Sequence, residues 1–311
     1  MPLLDIVNLR THFPSPDGMV KAVDAIDLQI ENRERLGLIG ETGCGKTVLA
    51  MSIIRILVPS TRVHGRIMYK GMDLLSLKDE EMRLLRGREI SMILQNPTMS
   101  LNPVLKVGDQ IAEVIMYHRG LDKKLARSTA VEMLTAAMID YPAQRANQYP
   151  HELSGGMKER VMIAMGLASQ PSFIIADEPT KGLDASTKAE IVRLIGDMTR
   201  GRSMLMITHD LAAAGEICDR IAVMYAGEIL EEASAETILS DPHHPYTQGF
   251  IASLPSRGLH PIPGSSPSLI DPPHGCRFHP RCPRAMEMCR REHPQMIKLE
   301  NGHLSRCFLC A

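Results

Sequence analysis

The most specific chemical motif in the chain is a glycine-rich loop that ends in a lysine and a threonine. It fits the pattern G-x-x-x-x-G-K-[ST] and comes between a short apolar run at 35–39 and an apolar, helix-like stretch at 48–57. Glycines allow backbone N–H groups to converge on a phosphate, and the start of a helix adds its positive dipole end. We expect Lys46 to reach the β- and γ-phosphates of a nucleotide and the Thr47 hydroxyl to ligate Mg²⁺. The loop consists of Gly40, Glu41, Thr42, Gly43, Cys44, Gly45, Lys46 and Thr47.

Two carboxylates stand at the end of another apolar run, at 173–176. At the end of a strand, Asp177 can hold Mg²⁺ directly or through water. Glu178 would then lie beside the γ-phosphate, where it can polarise an attacking water. Two acids that merely end a strand in solvent are the common alternative, but a phosphate loop in the same chain favours the catalytic interpretation.

A second glycine motif, at 153–157, precedes a helical segment. Ser154 is a good N-cap, and Gly155 and Gly156 expose backbone N–H groups that suit anion binding. A Ser-Gly-Gly helix cap is also a common structural feature. These residues by themselves therefore leave both interpretations open.

The elements that must position these motifs follow from the periodicity of the chain. Apolar runs with strand character alternate with helical segments, which predicts an α/β fold with a mostly parallel sheet. Residues 65–69 predict an antiparallel edge hairpin, residues 11–20 a turn-rich loop, and residues 98–150 a helical insertion. Strands are predicted at 3–9, 20–30, 35–39, 90–94, 173–176, 203–207 and 220–224, and helices at 48–57, 78–86, 155–169, 185–200 and 211–217.

Composition excludes several classes of protein. The 311 residues carry 35 Lys and Arg against 36 Asp and Glu, a net charge of −1, whereas a nucleic-acid-binding protein is usually basic. No apolar run approaches the roughly 18 residues needed to cross a membrane. The N-terminus has Asp5 early and no apolar run flanked by basic residues, so no signal peptide is predicted. We therefore expect a cytoplasmic protein with no nucleic-acid partner.

The composition changes after about residue 240. Eleven of the 21 prolines lie between 242 and 311, and the apolar periodicity fades there. Five of the seven cysteines lie in the last 36 residues, which in a cytosolic chain favours a metal over disulfides. The sequence therefore predicts a core domain at 1–240, with the helical segment 98–150 inserted, and a small cysteine-rich extension at 241–311. The five cysteines are Cys276, Cys282, Cys289, Cys307 and Cys310.

The order of motifs after the phosphate loop resembles that of the nucleotide-binding subunit of an ATP-binding-cassette transporter. The motifs are LSGGM at 153–157, FIIADEPT at 173–180, GLD at 182–184 and THD at 208–210. The resemblance covers residues 1–240 and implies a P-loop NTPase cassette that hydrolyses ATP. It also implies that two cassettes face each other head to tail, with ATP between the phosphate loop of one and the glycine motif of the other. The motif residues implied at the partner's ATP are Ser154, Gly155 and Gly156.

The same resemblance implies roles for further residues. Gln95 matches the loop glutamine that contacts Mg²⁺ and senses the permease, and His209 matches the histidine that contacts the γ-phosphate. Asp184 matches the aspartate that communicates across the dimer. Phe13 is the best match for the aromatic ring that stacks on adenine. The implied catalytic residues are thus Glu178, His209 and Gln95, and the implied magnesium ligands are Thr47, Gln95 and Asp177.

The tail resembles the C-terminal region of the peptide and nickel importer branch of this family. The similar segments are GCRFHPRCP at 275–283 and HPYT at 244–247. The resemblance implies a cysteine-ligated metal centre, in some members a [4Fe–4S] cluster, and four thiolates suit either Fe–S or tetrahedral Zn²⁺. The expected ligands are Cys276, Cys282, Cys289 and Cys307, with Cys310 as the alternative fourth ligand.

This resemblance implies an ATPase subunit that powers import through separate permease subunits, peripheral at the cytoplasmic face of the inner membrane. The implied solute is a di- or oligopeptide, with nickel or a metal chelate as the alternative. A second, related cassette chain and, indirectly, an extracytoplasmic solute-binding protein are the other implied partners. A DNA-repair-type cassette is a remote alternative, because it would need a long coiled coil between the phosphate loop and the second glycine motif.

Overall fold

The computed structural model of the chain describes residues 1–310, apart from the side chain of Ser256, and contains two compact units. One unit is formed by Met1–Ser76 together with the chain from Ile207 onward. The other is formed by Leu77–Met206. The phosphate loop and the cysteines of the tail therefore belong to the first unit. The acidic strand end and the second glycine motif belong to the second unit.

The first unit is built mainly from strands. In chain order its elements are β1 (Leu4–Ser15), β2 (Gly18–Ile30), β3 (Arg35–Ile39), α1 (Lys46–Ile53), β4 (Arg62–Tyr69), β5 (Met72–Asp73), α9 (Leu211–Ile217), β9 (Arg220–Tyr225), β10 (Glu228–Ser234), α10 (Ala235–Ser240), α11 (Pro245–Ala252), α12 (Glu287–Arg291), β11 (Ile297–Lys298) and β12 (Leu304–Ser305). The strands β2-β1-β4-β5 form an antiparallel sheet in that order, which confirms the predicted antiparallel edge. A second sheet contains five strands of this unit, in the order β11-β12-β10-β9-β3. In this sheet β3 and β9 are parallel, whereas β9 and β10 are antiparallel.

The segment at 11–20 forms a hairpin, and its prediction as a loop was wrong. Phe13 lies opposite Val20 and Ser15 opposite Gly18, which leaves Pro16 and Asp17 between the two strands. Proline, serine, aspartate and glycine are turn formers, which is why the sequence pattern indicated a loop. Cross-strand pairing with β2 outweighs that local preference and keeps β1 extended to its end.

The second unit combines buried strands with a group of helices. In chain order its elements are α2 (Asp79–Leu85), β6 (Ile90–Ile93), α3 (Pro97–Ser100), α4 (Val107–Arg119), α5 (Lys123–Ala136), α6 (Pro142–Arg145), α7 (Gly155–Leu167), β7 (Phe173–Asp177), α8 (Ala185–Met198) and β8 (Ser203–Thr208), which leads the chain back into the first unit. The strands β6 and β7 pair in parallel, and β7 and β8 are buried along their whole length. Continuous apolar strands between helices are typical of parallel sheets, so the predicted α/β class is confirmed.

Local sequence explains the helical segment that was predicted at 98–150. The carboxylate of Asp122 caps α5 by accepting hydrogen bonds from the backbone N–H groups of Lys124 and Leu125, at 2.9 and 3.0 Å. Gly120 ends α4 with a φ of 68°, a conformation that suits glycine. The helices α4, α5 and α7 pack on one another. The last of these three helices, α7, begins at the second glycine motif.

A buried acid in α7 makes the stability of the second unit sensitive to pH. Glu159 is 2% exposed, its Oε2 has no hydrogen-bond partner within the described residues, and burial raises the pKa of this carboxyl to about 8. The unfolded chain loses this proton near pH 4.5, whereas the folded chain keeps it until about pH 8. The folded state therefore binds more protons across that window, and its free energy of unfolding falls as the pH rises.

We expect Glu159→Gln to be more stable than the wild type at pH 8 and about equal to it at pH 5. The amide stays neutral, so the cost of keeping a carboxyl protonated, on the order of a few kcal/mol for a shift of this size, is removed. Thermal unfolding at the two pH values measures the difference. Glu132→Gln, at an exposed position of α5, is the matched control and should show no such pH dependence. An equal difference for Glu159→Gln at pH 5 and pH 8 would contradict the argument.

The C-terminal residues are largely irregular, as predicted, but they are anchored in the first unit. The rings of Tyr225, Tyr246 and Phe278 are buried together, with centroid distances of 4.6 to 5.4 Å. The short strand β12 pairs antiparallel with β10, with Ser305 opposite Glu231. Within residues 1–310, no helix is both long enough and apolar enough to cross a membrane.

Candidate functional site

The phosphate loop of the first unit has the backbone shape that its glycines predict. It connects β3 to α1, and Gly45 is the N-cap of that helix with a φ of 111°. A Cβ atom on Gly45 would lie 2.0 Å from the carbonyl oxygen of Ala22, so no other residue fits there. Helix α1 has no acidic residue in its first turn and no side-chain cap, so its positive dipole end is available to an anion.

Lys46 lies inside this loop and is 6% exposed. Its Nζ donates hydrogen bonds to the carbonyl oxygens of Gly40, at 2.7 Å, and of Glu41, at 3.0 Å. The ammonium group is therefore held by backbone oxygens at the start of the loop, next to the N-terminus of α1. A buried cation beside a helix N-terminus suits a phosphate group, as the motif predicts.

Two more of the predicted site residues lie in the first unit. Phe13 is half-buried in β1. His209 follows directly on β8 and is exposed, while the next residue, Asp210, caps α9 by accepting from the backbone N–H groups of Ala212 and Ala213. The adenine-stacking and γ-phosphate roles of Phe13 and His209 stay predictions.

The two acids predicted at the end of β7 lie in the second unit and are buried. Asp177 is 3% and Glu178 8% exposed. Glu178 has a φ of 49°, a left-handed conformation that costs a non-glycine residue energy. Strain of this kind persists where surrounding structure holds it and clusters at functional sites. The simpler interpretation of two acids exposed to solvent is therefore not what the structure shows.

The second glycine motif forms the start of α7. Ser154 is the N-cap, and its Oγ accepts from the backbone N–H of Met157 at 3.3 Å. Ser154 and Gly155 are exposed, and a Cβ on Gly156 would lie 2.9 Å from the methyl group of Thr187. The motif therefore both caps the helix and leaves backbone groups accessible, so the two interpretations left open by the sequence are compatible.

Asp184, from the GLD motif, acts as the N-cap of α8. Its carboxylate accepts from the backbone N–H groups of Ser186 and Thr187 and from the Thr187 hydroxyl, the last at 2.7 Å. The bond from the Thr187 hydroxyl is the main reason that the pKa of Asp184 lies below its ordinary value. Gln95, the remaining predicted residue of this unit, is half-buried two residues beyond the end of β6 and precedes Asn96, the N-cap of α3.

The predicted magnesium ligands carry the right donor atoms. Thr47 offers a hydroxyl, Gln95 an amide carbonyl and Asp177 a carboxylate, and Mg²⁺ prefers such hard oxygen ligands. These residues fit the ion by their chemistry. Their assignment as ligands remains a prediction.

The structure reveals partners of the phosphate loop that sequence reasoning missed. The Glu41 carboxylate accepts two hydrogen bonds from the Arg281 guanidinium, at 2.8 and 3.0 Å, and the Glu41 backbone N–H donates to the Tyr246 hydroxyl at 3.1 Å. Both partners lie in the C-terminal extension. The sequence signal for Arg281 was present in the segment at 275–283, which was interpreted only through its cysteines.

The structure does not support the predicted metal centre in the extension. Among residues 1–310, no three His, Cys, Asp or Glu side chains are arranged so that they could hold a metal ion. Burial raises the pKa of Cys276 to about 11 and that of Cys307 to about 12, so these thiols are protonated at neutral pH when no metal is bound. The cysteines Cys276, Cys282, Cys289, Cys307 and Cys310 are free in the structure, and neither the Fe–S cluster nor the Zn²⁺ expectation fits them.

Comparison with known proteins bears on both units. The family described as ABC transporter matches residues 23–181, and the family described as oligopeptide/dipeptide transporter, C-terminal region, matches residues 230–289. A probable peptide ABC transporter ATP-binding protein, y4tR, of Sinorhizobium fredii is 43% identical over 98% of this chain and 94% of its own length. The dipeptide transport ATP-binding protein DppD of Bacillus subtilis is 42% identical over 99% of this chain and 94% of its own length.

A solved structure agrees with these sequence matches. The ATP-binding cassette MJ0796, determined as a dimer in a post-hydrolysis state with ADP and Pi, superimposes with a TM-score of 0.67 and 26% identity, over 75% of this chain and 98% of that one. The fold and the phosphate loop thus define an ATP-hydrolysing cassette. The chain belongs to the ABC transporter family, and its residues 230–289 form the C-terminal region found in oligopeptide and dipeptide transporters.

Proposed function

We propose that this chain is the subunit that hydrolyses ATP to power the import of di- and oligopeptides through a membrane permease. The observation that carries the proposal is the similarity over nearly the whole chain to cassettes named for peptide and dipeptide transport. The match of the C-terminal residues to the oligopeptide/dipeptide region supports the same solute class. We assign residues 1–240 to the ATPase domain, with 98–150 as its helical subdomain, and residues 241–311 to the extension.

The first unit supplies the groups that bind the nucleotide. The backbone N–H groups of the phosphate loop and the Lys46 ammonium hold the β- and γ-phosphates. Phe13 stacks on the adenine, and His209 contacts the γ-phosphate. The buried position of Lys46 at the N-terminus of α1 supports this arrangement. The loop residues in this role are Gly40, Glu41, Thr42, Gly43, Cys44, Gly45, Lys46 and Thr47.

The second unit supplies the groups that act on the attacking water and on a partner's nucleotide. Glu178 takes a proton from the water that attacks the γ-phosphate, and its burial and left-handed backbone support a positioned base. Gln95 and His209 are the other two catalytic residues, beside Glu178. Thr47, Gln95 and Asp177 would hold magnesium, which would supply positive charge to neutralise the phosphates.

Transport requires a second cassette that faces this one head to tail. Ser154, Gly155 and Gly156 contact the ATP held by the partner's phosphate loop, and Asp184 relays between the two sites. The exposure of Ser154 and Gly155 at the start of α7 supports a role toward a partner. The partner is a related chain, as in a heterodimer. ATP binding closes the dimer and hydrolysis reopens it.

The permease contacts an apolar groove in the second unit, and the chain is thereby held at the cytoplasmic face of the membrane. The groove encloses about 330 Å³ and its lining includes Leu105, Val114 and Tyr117. Val104, the sequence neighbour of Leu105, is 74% exposed, and Leu105 and Tyr117 of the groove are also exposed, a grouping of exposed apolar side chains that marks interaction sites. The groove is close in sequence to Gln95, which couples the permease to the nucleotide. A solute-binding protein outside the membrane delivers the peptide to the permease.

Two alternatives are less favoured. Nickel or a metal chelate would use the same architecture, but the relatives described above are named for peptide and dipeptide transport. A DNA-repair-type cassette would carry a long coiled coil between its phosphate loop and its second glycine motif. The segment between them folds here into the short helices α2 to α6 and β-strands β4 to β6.

The test is uptake of labelled dipeptide and of nickel in cells that lack this chain and are complemented with variants. The wild type should restore dipeptide uptake and leave nickel uptake unaffected. Val104→Asp should retain ATP hydrolysis in the purified chain but restore about tenfold less uptake, because a charge enters an apolar contact. Leu125→Asp, at an exposed apolar position of α5 outside the groove, is the matched control. Restoration of nickel uptake alone would overturn the peptide assignment.

A further inference from the structure

An ion pair from the extension holds the second residue of the phosphate loop. Arg281 Nη1 donates to Glu41 Oε2 at 2.8 Å, and Arg281 Nη2 donates to Glu41 Oε1 at 3.0 Å. The Ser266 hydroxyl donates to the same carboxylate. Burial alone would raise the pKa of Glu41, but these donors hold it below its ordinary value. Both carboxylate oxygens of Glu41 are therefore engaged by side chains of the extension.

Arg281 is itself built into the fold. It is 8% exposed, its Nε donates to the Pro263 carbonyl at 2.9 Å, and Nη1 also donates to the Tyr225 hydroxyl at 3.3 Å. A buried guanidinium with a bidentate carboxylate and further acceptors is pre-organised and cannot easily turn elsewhere. Its position fixes that of Glu41.

The backbone of Glu41 has two further partners. Its N–H donates to the hydroxyl of Tyr246, a wholly buried residue of α11, and its carbonyl accepts from Lys46. The same short stretch of the loop therefore contacts the extension on one side and the phosphate-binding lysine on the other. Glu41 thus connects the extension to Lys46, so a loss of the hydrogen bonds between the extension and Glu41 also affects the position of Lys46.

A second arginine of the extension anchors the neighbouring part of this unit. Arg277, 7% exposed in its side chain, pairs with Asp24 and Glu228 and donates to the Ala226 carbonyl. Gly227, which follows Ala226 in the chain, donates its backbone N–H to the Cys44 carbonyl of the phosphate loop at 2.9 Å. The extension thus supports the loop at two points, directly at Glu41 and through this turn at Cys44.

We propose that Arg281 and Tyr246 are positioning residues for ATP binding: through Glu41 they hold the phosphate loop in the conformation that accepts the nucleotide. The proposal rests on the proposed function, namely that the loop binds ATP. A pre-ordered loop binds more tightly, because it does not lose conformational entropy on binding. Without Arg281, the Glu41 carboxylate is released next to the phosphates and repels them. The C-terminal extension is then part of the nucleotide site and not only a separate appendage.

The experiment compares purified Arg281→Gln with the wild type by ATP titration and by steady-state hydrolysis. We expect the Kd and KM for ATP to rise about tenfold, within the usual range of coupling between sites, while kcat changes little because Glu178 is untouched. Arg281→Lys keeps the charge but loses the bidentate geometry, so its Kd and KM for ATP should lie between those of the wild type and of Arg281→Gln. The double variant Glu41→Gln, Arg281→Gln should have a KM for ATP no higher than that of Arg281→Gln alone, since the two substitutions remove the same interaction. Arg291→Gln, at an exposed arginine of the same extension, is the matched control.

The outcomes separate this inference from the proposed function. If the wild type and Arg291→Gln do not bind ATP, the proposed function itself fails. If they bind it and Arg281→Gln has the same KM, the positioning role is overturned, even if its melting temperature falls. If Arg281→Gln does not fold, Tyr246→Phe decides, because it removes only the hydroxyl and keeps the buried ring. A raised KM at unchanged melting temperature in Tyr246→Phe supports the inference, and an unchanged KM overturns it.

Discussion

Replacing Glu178 with glutamine is expected to leave ATP binding intact and to slow ATP hydrolysis by about 10² to 10⁴-fold, the usual contribution of a general base. Glutamine has nearly the same shape as glutamate, so the buried, left-handed position at the end of β7 is kept. The amide cannot take a proton from the attacking water. ATP should therefore persist in the site, and the cassette should accumulate as an ATP-bound dimer with its partner cassette.

Single-turnover hydrolysis and size-exclusion chromatography with light scattering measure these two effects. Glu190→Gln, at a more exposed glutamate of α8 in the same unit, is the matched control and should hydrolyse ATP at the wild-type rate. Normal turnover in Glu178→Gln would remove the residue from the proposed base role. Loss of ATP binding in the same variant would indicate that the substitution disturbs the fold, and the melting temperature would reveal this.

Replacing Lys46 with alanine is expected to weaken ATP binding by about 100-fold or more, in the range found when one partner of a buried charge pair is removed. The Nζ atom is buried and is held by the carbonyl oxygens of Gly40 and Glu41. Its loss leaves the phosphates with backbone N–H groups and the helix dipole but without a positive side chain. Those remaining groups are not enough to balance the phosphate charge.

Titration with a fluorescent ATP analogue measures the affinity, and thermal unfolding confirms that the variant is folded. Lys124→Ala, at an exposed lysine at the start of α5, controls for the loss of a positive charge. If both the dissociation constant and the hydrolysis rate were unchanged in Lys46→Ala, the loop would not be the phosphate site. A wild-type affinity in Lys46→Ala combined with slow hydrolysis would assign Lys46 to the transition state and not to binding.

Much of the fold was predictable because its signals are local. The alternation of apolar runs and helical segments predicted the α/β class, and β3 and α9 lie where the sequence placed them. The hairpin of β1 and β2 was missed because turn-forming residues occur inside a strand, and only the paired neighbouring strand keeps them extended. Strands β10 to β12 were missed because they are short or follow directly on another strand.

The residues of the candidate site also divide into those predictable from local sequence and those that depend on the tertiary structure. Lys46 and Thr47 belong to eight consecutive residues between a strand and a helix, so their relative placement is a local property of the chain. The conformation of Glu178 is different: nothing in a run of apolar residues that ends in two acids indicates a positive φ. The cysteines are a further case, because their spacing suggested a metal, whereas within residues 1–310 no three His, Cys, Asp or Glu side chains are arranged to hold one.

The sequence by itself determined that this chain binds a nucleotide phosphate and belongs with the ATP-binding cassettes, because each motif is contiguous and carries its own chemistry. The tertiary structure alone decided which residues support that loop. Arg281 and Glu41 are 240 residues apart, and no periodicity or spacing connects positions at that distance. They meet because the irregular extension packs its aromatic residues, Tyr246 and Phe278, against Tyr225 of the first unit. That packing of apolar surface brings the guanidinium to the carboxylate.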